Sequence, residues 1–109
     1  MESSIYLFFK NYEITLAFDY ASIDISLFTI TQPNMIYTKK IYEHQISDMT
    51  NELFQEPKSL FIGLEEAIKG ESPKTKIEIP NERELVYLWE TQFANKSKSI
   101  SFTLKLEEV

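Results

Sequence analysis

Residues 57–70 read Pro57-Lys58-Ser59-Leu60-Phe61-Ile62-Gly63-Leu64-Glu65-Glu66-Ala67-Ile68-Lys69-Gly70, and this stretch decides the class of fold. Leu60, Phe61, Leu64, Ala67 and Ile68 recur at spacings of three and four, so they form one broad apolar stripe on a helix. Pro57 suits an early helical position, where its missing N–H costs nothing. Gly70 is the expected C-terminal stop. Immediately upstream, Tyr42, Ile46, Met49 and Leu53 lie at i, i+4, i+7 and i+11, which predicts a first helix closed by Pro57.

On both sides of this helical pair the period falls to two. Ile5 to Phe9 is a short apolar strand, followed by a two-residue turn at Lys10-Asn11. Tyr12, Ile14, Leu16 and Phe18 alternate with Glu13, Thr15 and Ala17, as a half-buried strand does. Asp19 to Ser22 turns the chain again. Ile23, Ile25 and Leu27 alternate next, but Phe28 and Ile30 take the opposite parity, which predicts a bulge or a strand covered on both faces. After the turn at Gln32-Pro33-Asn34, Met35 to Lys39 reads as a fourth strand. Downstream, Ile77 and Ile79 alternate with charges, Pro80-Asn81 turns, and Leu85 to Trp89 is densely apolar. Ile100, Phe102, Leu104 and Leu106 alternate cleanly with Ser101, Thr103 and Lys105. Four strands, two helices and three strands with short links make an antiparallel α+β fold. The pattern predicts a small curled sheet or sandwich with the helices capping one opening.

The remaining composition removes most function classes. At 109 residues and 43% hydrophobic, residues 1–109 fit a single globular domain. There is no cysteine, which excludes disulfides, thiol nucleophiles and cysteine zinc sites. Two glycines, Gly63 and Gly70, cannot build a phosphate loop. A net charge of −6 argues against direct nucleic-acid binding by this segment. No apolar run is long enough for a membrane span, and Met1-Glu2-Ser3-Ser4 shows no secretory signal. Asn95-Lys96-Ser97 matches a glycosylation acceptor, a reading with little weight without such a signal. His44 falls off the apolar face of its helix and reads as a solvated side chain. Glu65 and Glu66 point about 100° apart and cannot converge on one substrate. No catalytic, cofactor or metal site is read, and the chain is expected not to be an enzyme.

The last hairpin is more informative. Between Thr91 and Lys105 the charges are Lys96, Lys98 and Lys105, with no acid, and Phe93 sits among polar residues near the expected tip. Residues 40–72 carry Glu43, Asp48, Glu52, Glu56, Glu65, Glu66 and Glu71 against Lys40, Lys58 and Lys69. A basic hairpin with an apolar anchor and an acidic helical pair are complementary, so self-association is expected, with Phe93 docking beside Leu60, Phe61 and Leu64 of a second copy.

This order of elements resembles the globular head of a superfamily of coiled-coil scaffold proteins. The superfamily includes the partner scaffold of DNA ligase IV in non-homologous end joining, the centriolar cartwheel protein (spindle assembly abnormal protein six) and its basal-body paralogue. Ile46-Ser47-Asp48-Met49-Thr50, Glu71-Ser72, Ile77-Glu78-Ile79 and Glu84 to Leu88 are similar to the basal-body paralogue. Glu90-Thr91-Gln92-Phe93 and Ser101 to Leu106 resemble the cartwheel protein's final hairpin, whose apolar tip docks in a neighbouring head; that role would fall on Phe93. Leu27 to Gly70 is similar to the repair scaffold, and Lys98 and Phe102 fall where its head contacts a filament-forming paralogue.

The resemblance implies a seven-stranded antiparallel barrel-like sandwich with a helix–turn–helix between strands four and five. It implies a non-catalytic head that continues into a parallel coiled-coil stalk beyond this chain, with its own copies or paralogue heads as partners and no membrane. The exposed Phe93 tip favours the cytoplasmic centriole or basal body; the alternative is a nuclear head in DNA repair.

Overall fold

The computed structural model describes residues 3–109, the Phe93 side chain excepted. Three strands form a meander: β1 (Ser3–Phe9), β2 (Tyr12–Phe18) and β3 (Ser22–Thr29). Lys10, at φ 56°, opens the first turn. Asp19 closes the second, its Oδ1 accepting the N–H groups of Ala21 and Ser22 at 2.8 and 2.9 Å. Next come β4 (Tyr37–Tyr42), α1 (Glu43–Met49) and α2 (Pro57–Lys69), then β5 (Thr75–Asn81), β6 (Glu84–Phe93), β7 (Lys96–Lys105) and the two-residue β8 (Glu107–Glu108). All pairings are antiparallel.

The strands make two sheets rather than one barrel. The larger has five strands in the order β1-β2-β3-β4-β8; the smaller has three, β5-β6-β7. The expected seven-stranded barrel-like sandwich is therefore corrected to two open antiparallel sheets with the helices between β4 and β5. The reason is visible in the connections. The helical pair separates β4 from β5, and α2 lies against β1, β2, β3 and β5, filling the space where a closed barrel would bring strands together. Leu106, buried, is the single residue between β7 in one sheet and β8 in the other, and its N–H donates to the Arg83 carbonyl at 2.7 Å.

One apolar core joins these layers. Ile14, Leu16, Ile23, Ile25, Leu27 and Ile41 line it from the larger sheet, Leu85, Tyr87, Phe102 and Leu104 from the smaller, and Leu60, Leu64, Ala67 and Ile68 from α2. Phe102 and Leu104 face inward while Thr103 and Lys105 are exposed, as the alternation predicts. Tyr87 and Phe102 stack at 4.9 Å and 16°, and the Phe54 ring stands edge-on to both.

Local expectations shift in three places. β3 keeps an unbroken register to Thr29, which is buried, so Phe28 simply faces the outer side and Ile30 lies past the strand end. The irregularity occurs instead in β5, between Glu78 and Asn81, where Pro80 has no N–H for the ladder. β4 starts at Tyr37, two residues late, because the Met35 N–H closes a turn onto the Gln32 carbonyl. α1 is also shorter than its apolar spacing suggests. Tyr42 is its exposed N-cap rather than a buried member, and Asn51 and Glu52 at φ 50° and 64° stop the helix before Leu53. Thr50, fully buried, donates from Oγ1 to the Ile46 carbonyl at 2.7 Å and accepts the Phe54 N–H at 3.2 Å, which directs the Phe54 ring into the core.

Leu104→Ala is expected to cost about 2–5 kcal/mol, by lost transfer and a cavity. Lys105→Ala should change stability by less than about 0.5 kcal/mol. Equal losses in urea melts would show the strand's parity to be wrong. Gly63→Ala gains roughly 1 kcal/mol of helix propensity, but its Cβ meets the Phe54 ring, which Tyr87 and Phe102 hold in place. Overpacking of this kind costs about 1–3 kcal/mol, so we expect a net loss; a stabilised variant would mean the ring moves freely.

Candidate protein-interaction site

The two ten-residue strands β6 and β7 form the longest hairpin of the fold. Its turn, Ala94-Asn95, has φ values of 48° and 68°, both left-handed, as a tight two-residue hairpin turn requires. The backbone of Phe93 closes the hairpin opposite Lys96, and Thr91 pairs with Lys98. None of residues 96–101 is buried, so the distal half of β7 projects past the core. Lys96 and Lys98 continue the face on which Phe102 and Leu104 are buried, whereas Lys105 has the opposite parity. The expectation placed on the Phe93 side chain lies outside the described residues.

A second surface lies where the β2–β3 turn meets the first turn of α2. Ser3 at the start of β1, with Phe18, Asp19, Tyr20, Glu43, Glu56, Pro57 and Lys58, lines a cleft of about 500 Å³. Its mouth continues over Tyr42 and His44, whose rings lie 6.1 Å apart and nearly parallel. Phe18 is held in place from beneath by Phe61, at 4.6 Å between ring centres. The cleft is thus an aromatic floor with three carboxylates around it, and Tyr20 stands 82% exposed beside them.

Asp19 has the best-defined electrostatics of the three. Its carboxyl is held below the ordinary carboxylate range, chiefly by the N–H groups of Ala21 and Ser22, with Lys40 adding a smaller attraction. It therefore stays charged well into acid. Burial and, to a lesser degree, Glu66 push the pKa of the Tyr87 hydroxyl above the ordinary phenol range. Glu65 is half-buried and pairs with Lys69 at 3.7 Å, while Glu66 is exposed. Among the described residues no three His, Asp or Glu side chains converge to hold a metal, and no helix is long and apolar enough to cross a membrane.

This geometry corrects the expected docking surface. Leu60 and Leu64 are 0% exposed, Phe61 8% and Phe102 5%, so all four pack inside their own molecule. They share the helix stripe or strand face that closes the core, and a side chain committed there has no surface to offer. Lys96 and Lys98 are exposed as expected. The cleft residues were missed in the sequence because Phe18 reads as a strand residue and Tyr20 as part of a turn. The signal that points to them is an aromatic beside Asp19 in a turn with no apolar periodicity.

No protein-family model matches the sequence, and no curated protein matches it. Solved structures do share its fold. The head domain of human CCDC61 superposes with a TM-score of 0.76 at 12% identity, covering 100% of this chain and 99% of that one. An N-terminal fragment of Leishmania SAS-6 that contains part of its coiled-coil domain gives 0.52 at 12% identity, over 98% of this chain and 72% of that one. A single-substitution variant of such a fragment gives 0.54. The chain has the fold of these heads.

For Asp19 the sign of the pH dependence follows directly. Its folded pKa is depressed, so its stabilising contribution is present above the unfolded carboxylate value near 4 and is lost as pH falls through the folded one. Asp19→Ala should melt below wild type at pH 7, with the gap closing in strong acid. A gap unchanged with pH in thermal melts would assign the loss to something other than the carboxylate.

Proposed function

We propose that this chain is the non-catalytic head of a coiled-coil scaffold protein in centriole or basal-body assembly, and that its heads associate weakly with one another. The observation that carries this reading is the reciprocal, full-length superposition on the head domain of CCDC61. The SAS-6 fragments add heads joined to a coiled coil, and SAS-6 is the branch to which Glu90 to Phe93 and Ser101 to Leu106 are similar. A fold shared from end to end with a head domain suits a module whose surface is its function.

In this proposal the basic end of the β6–β7 hairpin enters the acidic aromatic cleft of a second copy. Phe93 supplies the anchor, and Lys96 and Lys98 face the carboxylates of Asp19, Glu43 and Glu56. Burial of one aromatic contributes about 1.5–3 kcal/mol, and exposed ion pairs add little beyond steering and register. Such a contact is weak alone. Heads paired by a stalk would present two contacts at once, and the raised effective concentration would make chains or rings of them.

Sedimentation of the 109-residue chain should show concentration-dependent association with Kd from about ten micromolar to millimolar. Phe93→Glu should abolish its hairpin-mediated part, and Lys98→Glu should weaken that part at unchanged melting temperature. Glu56→Lys should restore part of the loss when mixed with Lys98→Glu. Strict monomers at millimolar concentration would remove the head-contact reading. In cells the tagged full protein should mark centrioles or basal bodies; a nuclear signal recruited to DNA breaks would instead support the end-joining scaffold.

A further inference from the structure

Four strands form the outer edges of the two sheets: β1 and β8 in the larger, β5 and β7 in the smaller. An open edge presents a row of unpaired N–H and C=O groups, and proteins guard such rows with Lys, Pro, bulges or very short strands. β5 carries Lys76, Pro80 and a register shift. β7 carries Lys96, Lys98 and Lys105, and the Asn51 amide donates to the Ser101 carbonyl. β8 is two glutamates long. β1 has none of these devices. Ser3-Ser4-Ile5-Tyr6-Leu7-Phe8-Phe9 holds no charge, no Pro, no Gly and no shift in its register with β2.

The backbone of β1 is bonded on one side only: among the described residues its ladder runs to β2 alone. The two-residue turn makes Phe9 and Tyr12 the closing hydrogen-bonded pair, so Phe9, Leu7, Ile5 and Ser3 bond toward β2. Ser4, Tyr6 and Phe8 then direct their N–H and C=O groups away from the sheet. Their side chains lie on its outer face, where Tyr6 is 68% and Phe8 67% exposed.

We propose that β1 pairs antiparallel with β1 of a second copy about a two-fold axis at Tyr6, joining two five-stranded sheets into one. The strand is complementary to itself in this register. Tyr6 stands opposite the partner's Tyr6, Ser4 opposite the partner's Phe8, and Ile5 opposite the partner's Leu7. No charge meets a like charge, an aromatic pair crosses the axis, and the inward apolar positions continue from one copy into the other. A charged foreign strand would find no opposite charge along these seven residues. The contact uses no residue of the β6–β7 hairpin and none of the three carboxylates; of β1 only Ser3, at its end, lines the cleft.

Because the chain has no cysteine, one introduced thiol reports the register. Paired Cα atoms at the axis would lie about 5.5 Å apart, within the roughly 4.4–6.8 Å that a disulfide spans. Oxidised Tyr6→Cys should form a covalent dimer at least about tenfold faster than Glu71→Cys, an exposed control, since pairing raises the local thiol concentration. In the Phe93→Glu background, Tyr6→Lys, which sets like charges across the axis, should weaken the remaining association about tenfold or more while the chain keeps its melting temperature. Phe93→Glu should leave the Tyr6→Cys dimer intact. Cross-linking of Tyr6→Cys no faster than the control overturns the proposal, as does unchanged association when Tyr6→Lys is added to Phe93→Glu, or loss of the cross-link with Phe93→Glu. A monomer whose β1 amides gain hydrogen-exchange protection only when an uncharged extended peptide is added assigns the edge to a foreign strand, and also overturns it.

Discussion

The apolar stripe of α2 lies between two sheets that do not close on each other, and that burial supports the rest of the molecule. Leu60 and Leu64 are fully buried, with Phe61 and Ile68 nearly so. Each large side chain removed from water contributes about 1.5–3 kcal/mol, against a net stability of only about 5–15 kcal/mol for a domain. Without this stripe the inner faces of β1 to β3 would lie open, and the smaller sheet would lose the helix that packs against β5.

The same packing creates the candidate cleft. Phe61 faces inward and holds Phe18 from beneath, so Phe18 becomes a floor instead of a core residue. Pro57 starts α2 beside the β2–β3 turn, which brings Glu56 next to Asp19 and Tyr20. The acidity is local: three carboxylates from three separate segments share one rim.

The edges of the two sheets divide along similar lines. Lysines, Pro80, a register shift and extreme shortness protect three of them, at positions where each device costs the core little. On β1 the inward residues Ile5, Leu7 and Phe9 serve the core while Tyr6 and Phe8 face water, so this strand meets solvent with both its backbone row and two aromatics. The molecule therefore carries two distinct exposed features, an acidic aromatic cleft and a neutral sheet edge.

Periodicity alone determined the order of every element but β8, the inward parity of Phe102 and Leu104, and the helical stripe from Leu60 to Ile68, because local burial patterns repeat at the spacing of the backbone. Composition alone removed cysteine chemistry and phosphate loops. Tertiary contacts decided the rest. Thr50 and the left-handed pair Asn51-Glu52 ended α1 before Leu53, although the apolar spacing continues. Packing of α2 between the two antiparallel sheets left them open where a barrel-like sandwich was expected. It also turned Leu60, Phe61 and Leu64 from a docking surface into core. A stripe shows which residues leave water, but not whether their own sheet or another molecule covers them; that depends on where the chain's distant segments meet.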